Sequence, residues 1–262
     1  MPIITLMTDF GIKDGNVGVM KGVIWGIAPG VQIADLSHTV SPQNLREAAL
    51  ILARSAPYFP PGSIHVVVVD PGVGTARRHI AARLGTQFFV GPDNGVITLL
   101  LERAEAQGWP VEIVHTHKSE YWLAEVSHVF HGRDVFSPIA AHLASGVTLQ
   151  ELGTRIDDPV RLSLPRPQQT LFGWQGEIIH IDHFGNISTN VLKENLGEPD
   201  SIQVRLCGVN IDGMVRTFGE RAPGELVALY GSTGYLIVSV VNGNAAQRLN
   251  AAVGDTVEVV VN

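Results

Sequence analysis

Cysteine is almost absent from this 262-residue chain, which contains only Cys207. A single cysteine cannot form an intrachain disulfide, and it cannot build a metal site that needs several thiolate ligands. Because a chain without disulfides suits a reducing compartment, we expect the protein to be cytoplasmic.

Long apolar runs and basic clusters are also lacking. No run of about 18 apolar residues occurs, and the first residues, MPIITLMTDFG, have neither the basic nor the apolar region of a signal peptide. Asp and Glu number 25 against 18 Lys and Arg, giving a net charge of -7, and no window concentrates the basic residues. Neutralising several phosphates requires such a window, so we expect a soluble protein that crosses no membrane and binds no nucleic acid.

The first 145 residues show the alternation that is typical of an α/β fold. Short β-branched runs predict strands, and longer amphipathic stretches between them predict helices. The run VVVV at Val66–Val69 indicates a strand that is buried on both faces of a sheet. We therefore predict an N-terminal α/β domain, residues 1–160, with a largely parallel central sheet.

A second domain is expected after a change in composition near Arg161. Pro165 and Pro167 lie in a stretch without periodicity, which predicts a linker over residues 161–172. Residues 173–262 then carry short β-rich segments that are separated by turns containing Gly, Asn and Asp. This pattern predicts a smaller C-terminal domain that resembles a β-barrel.

Polar residues follow several of the predicted strands of the first domain directly. Asp9, Asp35, Asp70 and the pair Asp93-Asn94 each come after an apolar run. Ligands of open α/β sheets bind outside the carboxyl ends of the strands, so these residues mark a candidate binding edge.

Two further segments contain residues suited to catalysis. In VVVVDPGVGTARR a carboxylate, Asp70, is followed by a Pro-Gly turn and then by Arg77, so the two side chains can face each other. In VFHGRD the imidazole of His131 stands at the entrance of a predicted helix. The structural alternatives are a turn-capping Asp70 with a surface ion pair, and a His131 that is satisfied by local hydrogen bonds.

The segment IDHFGN opens the second domain with residues that suit a nucleobase. Phe184 can stack on a base, and Asn186 offers both a donor and an acceptor. The alternative is a β-turn in which Asp182 and Asn186 bond to their own backbone. Since coordination of a cation would require ligands from scattered loops, we predict no metal site.

Six segments, in order, resemble the S-adenosyl-L-methionine (SAM) hydrolase family, also called adenosyl hydroxide transferases, which is related to fluorinase and chlorinase. These are TDFG, DLSH, YFPPGSIHVVVVDPGVGTARR, FVGPDNG, FHGRD and IDHFGN. The resemblance runs almost from end to end. It implies an α/β domain with a β-barrel-like domain, a homotrimer with active sites between neighbouring subunits, and hydrolysis of SAM to adenosine and L-methionine without a cofactor.

The resemblance also implies roles for individual residues. The family's Asp-Arg-His group corresponds to Asp70, Arg77 and His131, and its ribose-binding carboxylate corresponds to Asp9. The remaining contacts to methionine and adenine correspond to Asp14, Asp182, Phe184, Asn186, Ser232 and Tyr235. The chain departs from the family pattern at Ile237 and Val241, where that pattern has an acidic residue and an Asn; Asn242 and Asn244 lie nearby.

The implied chemistry suits these residue types. A sulfonium leaves as a neutral thioether, so the difficult step is to place and activate water in line with the ribose 5′ carbon. Alternative functions are a halide-dependent 5′-halogenase, a non-catalytic SAM- or nucleoside-binding protein, and a metal-dependent hydrolase. A halide is repelled by a nearby carboxylate, and a mere binding protein has no use for the Asp-Arg-His group.

Overall fold

The computed structural model describes residues 2–197 and 201–261, and the chain forms two compact units, Met1–Leu162 and Ser163–Asn262. The division falls inside the predicted linker, residues 161–172, in which Gln168–Thr170 form a short strand. The exact domain limits given above stay a prediction.

A seven-stranded sheet forms the centre of the first unit. Its strands are β1 (Ile3–Thr8), β2 (Gln32–Ser37), β3 (Ile64–Val68), β4 (His79–Leu84), β5 (Gln87–Pro92), β6 (Val111–His115) and β7 (Thr154–Arg155). The order across the sheet is β2-β1-β3-β5-β4-β6-β7. Strands β2, β1, β3 and β5 are parallel, whereas β4, β6 and β7 add antiparallel pairs on one side. The predicted α/β fold with a largely parallel sheet is therefore confirmed.

Helices cover both faces of this sheet. They are α1 (Asn16–Ile27), α2 (Leu45–Ser55), α3 (Thr98–Ala106), α4 (Ser137–Ala144) and α5 (Leu149–Leu152), with a π-helix, Gly132–Phe136, directly before α4. Val66 and Val68 pack in the same apolar cluster as residues of α1 and α4, while Val67 and Val69 pack in the cluster that contains residues of α2 and α3. Side chains alternate along a strand, so the VVVV run is buried on both faces, as predicted.

The second unit is built on an antiparallel, nearly closed sheet. Its strands are β8 (Gln168–Thr170), β9 (Gly173–Ile181), β10 (Ile187–Leu192), β11 (Ile202–Leu206), β12 (Val209–Asp212), β13 (Leu226–Tyr230), β14 (Tyr235–Val240) and β15 (Thr256–Val261); its helices are α6 (Lys193–Leu196) and α7 (Ala245–Leu249). The order is β12-β11-β15-β9-β10-β14-β13, with β8 paired to β9. Val215, just after β12, donates its N–H to the carbonyl of Ala228 on β13 at 3.0 Å, which brings the two end strands together. The predicted barrel-like form is confirmed.

Across residues 2–197 and 201–261, every helix is too short or too polar to cross a bilayer.

Candidate active site

The carboxyl ends of the parallel strands form one edge of the first sheet, and polar residues gather there. Asp9 directly follows β1, and Asp93 directly follows β5. Asp70 follows β3 after one intervening residue. The Asn94 amide donates to the carbonyl of Val69 at 2.9 Å, which ties the ends of β3 and β5 together. Parallel neighbours end on the same side, and this geometry creates the edge at which α/β proteins bind ligands.

A tight turn brings Arg77 back onto Asp70. Arg77 Nε donates to Asp70 Oδ1 at 2.9 Å, and Nη2 donates to Oδ2, so the pair is bidentate. The turn needs glycine at Gly74, which has φ +77° and where a Cβ would lie 2.3 Å from the carbonyl oxygen of His128. The side chains of Arg77 and Asp70 are only 9% and 5% exposed, so the ion pair is shielded from solvent.

His131 completes this cluster from a distant part of the chain. It directly precedes the π-helix, a rare helical form that often marks functional sites, and its Nδ1 lies 2.8 Å from Arg77 Nη2. Burial lowers the pKa of His131, and the Arg77 charge lowers it further, against the opposing effect of Asp70 and Asp134. The imidazole is therefore neutral at pH 7.

The cluster of Asp70, Arg77 and His131, here called the triad, retains one donor nitrogen with both of its N–H groups unused. Arg77 Nη1 is buried and has no hydrogen-bond partner among the described residues. The guanidinium also lies over the Phe136 ring, 5.4 Å from its centroid, which fixes its plane. A carboxylate that can accept a proton thus stands beside a cation with a spare N–H, an arrangement suited to holding and activating an oxygen nucleophile.

The sequence reasoning missed His79, which belongs to the same cluster. Its Nε2 lies 3.0 Å from His131 Nδ1, and its ring packs edge-on against Trp122 and Phe136. A signal was available, because His79 stands two residues after Arg77 at the start of β4, and residues two apart in extended chain share a face.

Asp9 and Asp14 lie on the loops that follow β1. Asp9 Oδ2 accepts the backbone N–H of Gln43 at 2.8 Å, and Gln43 has φ +62°. Asp14 is exposed just before α1. No bond within residues 2–197 and 201–261 is made to the second oxygen of Asp9, Oδ1, which can accept from a further donor.

Three candidate residues of the second unit, Asp182, Phe184 and Asn186, lie together in one turn. Asp182 Oδ1 accepts the backbone N–H groups of Phe184 and Asn186, each at 2.9 Å, and Oδ2 accepts the Asn186 amide at 2.7 Å. Gly185, with φ +81°, abuts the side chain of Asn244, which caps α7, so the turn is held against that helix. The two bonds to backbone N–H groups are those of the turn alternative, and Phe184 is 72% exposed.

Ser232 and Tyr235 lie at the turn between β13 and β14. Ser232 is exposed in the turn, and Tyr235, half-buried, is the first residue of β14. The two departures from the family pattern are Ile237, on β14, and Val241, directly after it. Both belong to one apolar cluster, whose other members are Val215, Val227 and Leu229. In this chain, packing therefore replaces the polar groups of the family pattern at both positions.

Metal-ligating side chains are not grouped in the part of the chain that the structure describes. No set of three or more His, Cys, Asp or Glu residues there is placed to hold a metal ion.

Comparison with known proteins connects this geometry to a family. Residues 4–153 match the SAM hydroxide adenosyltransferase N-terminal domain, and residues 176–258 match the C-terminal domain of the same family. A protein from Salinispora tropica named (R)-S-adenosyl-L-methionine hydrolase is 40% identical over 264 residues, which cover 98% of this chain and 97% of that relative. A fluorinase from an Actinoplanes species is 30% identical over 296 residues, which cover 98% of this chain and 97% of that relative.

A solved structure agrees with this assignment. An uncharacterized conserved protein from Thermotoga maritima superposes with a TM-score of 0.91 at 36% identity, and the match covers 98% of this chain and 100% of that one. The matches to both domain models and the 40% identical relative all indicate the same family. The chain belongs to the SAM hydroxide adenosyltransferase family.

Proposed function

We propose that this protein hydrolyses SAM to adenosine and L-methionine through attack of water on the ribose 5′ carbon. The observation that carries this proposal is the triad, in which Arg77 bonds to Asp70 and to His131 at a buried edge of the sheet. The name of the relative from Salinispora tropica supports the same reaction.

In this reaction the substrate supplies the leaving group, and the protein must supply an activated water. The sulfur of SAM carries a positive charge and leaves as a neutral thioether, so its departure needs no general acid. Water is a weak nucleophile, and the protein must hold it opposite the sulfur, in line with the 5′ carbon. As the new O–C bond forms, the protons of the water become strongly acidic, so even a paired carboxylate is basic enough to take one.

Within the triad, each residue has a role that its contacts support. Arg77 directs an N–H of its unpartnered Nη1 to the oxygen of the water and stabilises hydroxide-like charge there. Asp70 and His131 hold the same water, and Asp70 offers a carboxylate for the proton. No metal or cofactor takes part in the proposed step.

Other residues are proposed to bind the substrate. Asp9 accepts hydrogen bonds from the ribose hydroxyls, and Phe184 stacks on the adenine. The remaining contacts to adenine and to methionine come from Asp14, Asp182, Asn186, Ser232 and Tyr235. Family membership supports a homotrimer with active sites between neighbouring subunits, and the single cysteine supports a cytoplasmic location.

The test is an assay of products. Purified protein and its Asp70→Ala variant are incubated with SAM and a strong chelator, with and without chloride, and the nucleosides are separated. We expect adenosine and methionine from the wild type alone, in equal amounts.

Each other result supports a different function. Formation of 5′-chloro-5′-deoxyadenosine would indicate halogenation, which the fluorinase relative makes the second candidate. Asp70 disfavours that outcome because a carboxylate repels a halide. Bound but unchanged SAM would indicate a binding protein, and loss of activity in chelator would indicate a metal-dependent hydrolase.

A further inference from the structure

The Nδ1 atom of His131 has two nitrogen neighbours. Arg77 Nη2 lies 2.8 Å away, and Nε2 of His79, the first residue of β4, lies 3.0 Å away. An imidazole nitrogen can be a donor or an acceptor, and its neighbours decide which.

The Arg77 contact determines the protonation of both histidines. A guanidinium has only donors, so His131 Nδ1 must present its lone pair, and the proton of the neutral ring must sit on Nε2. His79 Nε2 faces the same lone pair at hydrogen-bond distance, so it must carry a proton as well. Two donors, Arg77 and His79, therefore converge on one acceptor.

His79 is held firmly enough for this role. Its backbone carbonyl accepts the N–H of Thr116 at 2.9 Å, and its ring lies against those of Trp122 and Phe136 at centroid distances of 5.2 and 5.6 Å. Burial lowers the pKa of His79 to about 3, with the nearby Arg77, His131 and His115 acting in the same direction. His79 is thus a neutral, oriented donor across the range in which enzymes work.

We propose that His79 is a positioning residue that, together with Arg77, keeps His131 in the Nε2–H form, so that His131 donates a hydrogen bond and Asp70 receives the proton of the water. Only the statement that Asp70 receives the proton of the water rests on the proposed function. In the step, the water oxygen bonds to the 5′ carbon, the C–S electron pair goes to sulfur, and one proton of the water passes to Asp70.

Other groups around the two rings bear on any pH dependence. The titratable and charged side chains facing them are Asp70, Arg77, His115, His128 and Asp134. The pKa of His131 is lowered mainly by burial, and a donor to Nδ1 stabilises the neutral ring further. Removal of that donor must therefore raise the pKa of His131.

The first experiment observes the tautomer in the wild-type protein without substrate. Protein labelled with ¹⁵N-histidine is examined by NMR, with the His131 signals assigned from their loss in His131→Gln. We expect an unprotonated Nδ1 and a protonated Nε2 for His131 at pH 7.5. A protonated Nδ1 would overturn the proposal, and this readout holds whether or not the protein cleaves SAM.

The second experiment compares His79→Phe, which keeps an aromatic ring but removes the donor, with His79→Gln, whose amide can donate from a similar place. In His79→Phe we expect kcat/KM to fall about 3- to 10-fold and the acidic limb of its pH profile to move to higher pH. In His79→Gln both should remain close to wild type. Equal losses in the two variants with an unmoved limb would reduce His79 to a packing residue and overturn the proposal.

The two experiments separate the two claims. If the wild type releases no adenosine, the proposed function fails, and the NMR result alone decides the tautomer. If His79→Phe does not fold, the His79 signals of the wild-type spectrum, assigned from their loss in His79→Gln, still test the role of His79: the proposal requires a proton on Nε2, and an unprotonated Nε2 would overturn it.

Discussion

The candidate site residues of the two units are held in place by different kinds of contact. In the first unit, Arg77 bonds to Asp70 seven positions away and to His131 across 54 positions, and the group is buried. In the second, the bonds of Asp182 to described residues stay within its own turn, and Phe184 is 72% exposed. The proposed reacting groups are thus ordered by long-range folding, whereas the proposed binding residues Asp182, Phe184 and Asn186 lie on a preformed turn.

This difference has a kinetic meaning. Dipoles and charges that the fold has already oriented need no reorganisation in the transition state, so the triad should govern kcat. An exposed aromatic ring gains its contacts only when a ligand covers it, so Phe184 should govern KM. Substitutions in the two units should therefore have effects of different kind as well as different size.

Asp70→Asn should give the largest effect, because it keeps a hydrogen-bond acceptor for Arg77 but removes the base. We expect kcat to fall by about 10²- to 10⁴-fold while SAM still binds, as measured by steady-state kinetics and calorimetry. Asp158→Asn is the matched control, because Asp158 also pairs with an arginine, Arg78, but is 80% exposed. A kcat for Asp70→Asn close to that of the control would contradict a catalytic role.

Arg77→Lys should come next in size. Lysine keeps the charge but loses the planar fork that holds Asp70 and His131 together, and a displaced catalytic group costs about 10²-fold in kcat. Arg78→Lys, at the neighbouring arginine that pairs with Asp93 and Asp158, is the comparison variant. If the two lysine variants retain the same kcat, the bidentate geometry of Arg77 is not what catalysis needs.

Phe184→Ala tests the second unit. Loss of stacking should raise KM about 2- to 10-fold with little change in kcat or in the melting temperature. Phe172→Ala is closely matched, since Phe172 is also 72% exposed and lies in the same unit, and its KM should stay at the wild-type value. A drop in kcat without a change in KM for Phe184→Ala would break the proposed division of roles.

The smallest expected effect concerns the free energy of unfolding at low pH. Its dependence on pH should come from buried histidines of the first unit and not from an exposed histidine of the second. Burial lowers the pKa of His65 to about 4 and that of His79 to about 3, both in the first unit. The unfolded chain takes up protons at these histidines once the pH falls below about 6.5, but the folded chain does not, so the free energy of unfolding must decline as the pH falls from there.

Denaturant unfolding at pH 7.5 and pH 5.0 measures this decline. In His79→Gln it should be smaller than in wild type by about 1–2 kcal/mol. His183→Gln, at an exposed histidine of the second unit, should leave the wild-type decline intact. An unchanged decline in His79→Gln would mean that His79 does not resist protonation in the folded protein.

The sequence predicted much of the fold because the pattern of the core is local. The VVVV run and the amphipathic stretches identify β3 and the helices that cover it, and the parallel strands place Asp9, Asp70 and Asp93 at one edge. The antiparallel β4 was not predicted, since its run HIAARL has little β-branched character.

The site was less accessible to sequence reasoning. Asp70 and Arg77 are separated by one turn, and the Pro-Gly turn is visible in the sequence. His131 meets them only through the fold, and the one extra residue per turn of the π-helix before α4 leaves no periodic signal. Which residues of the second unit contact a ligand depends on where that ligand binds, and local sequence patterns do not encode this.

Isotope labelling of the solvent tests directly whether the oxygen of water becomes bonded to the ribose 5′ carbon. SAM is converted by the enzyme in ¹⁸O-water, and both products are analysed by mass spectrometry. Attack of water on the 5′ carbon predicts one ¹⁸O in the 5′-hydroxyl of adenosine and none in methionine. Adenosine without ¹⁸O, or cleavage on the amino-acid side of the sulfur to give methylthioadenosine, would contradict the account.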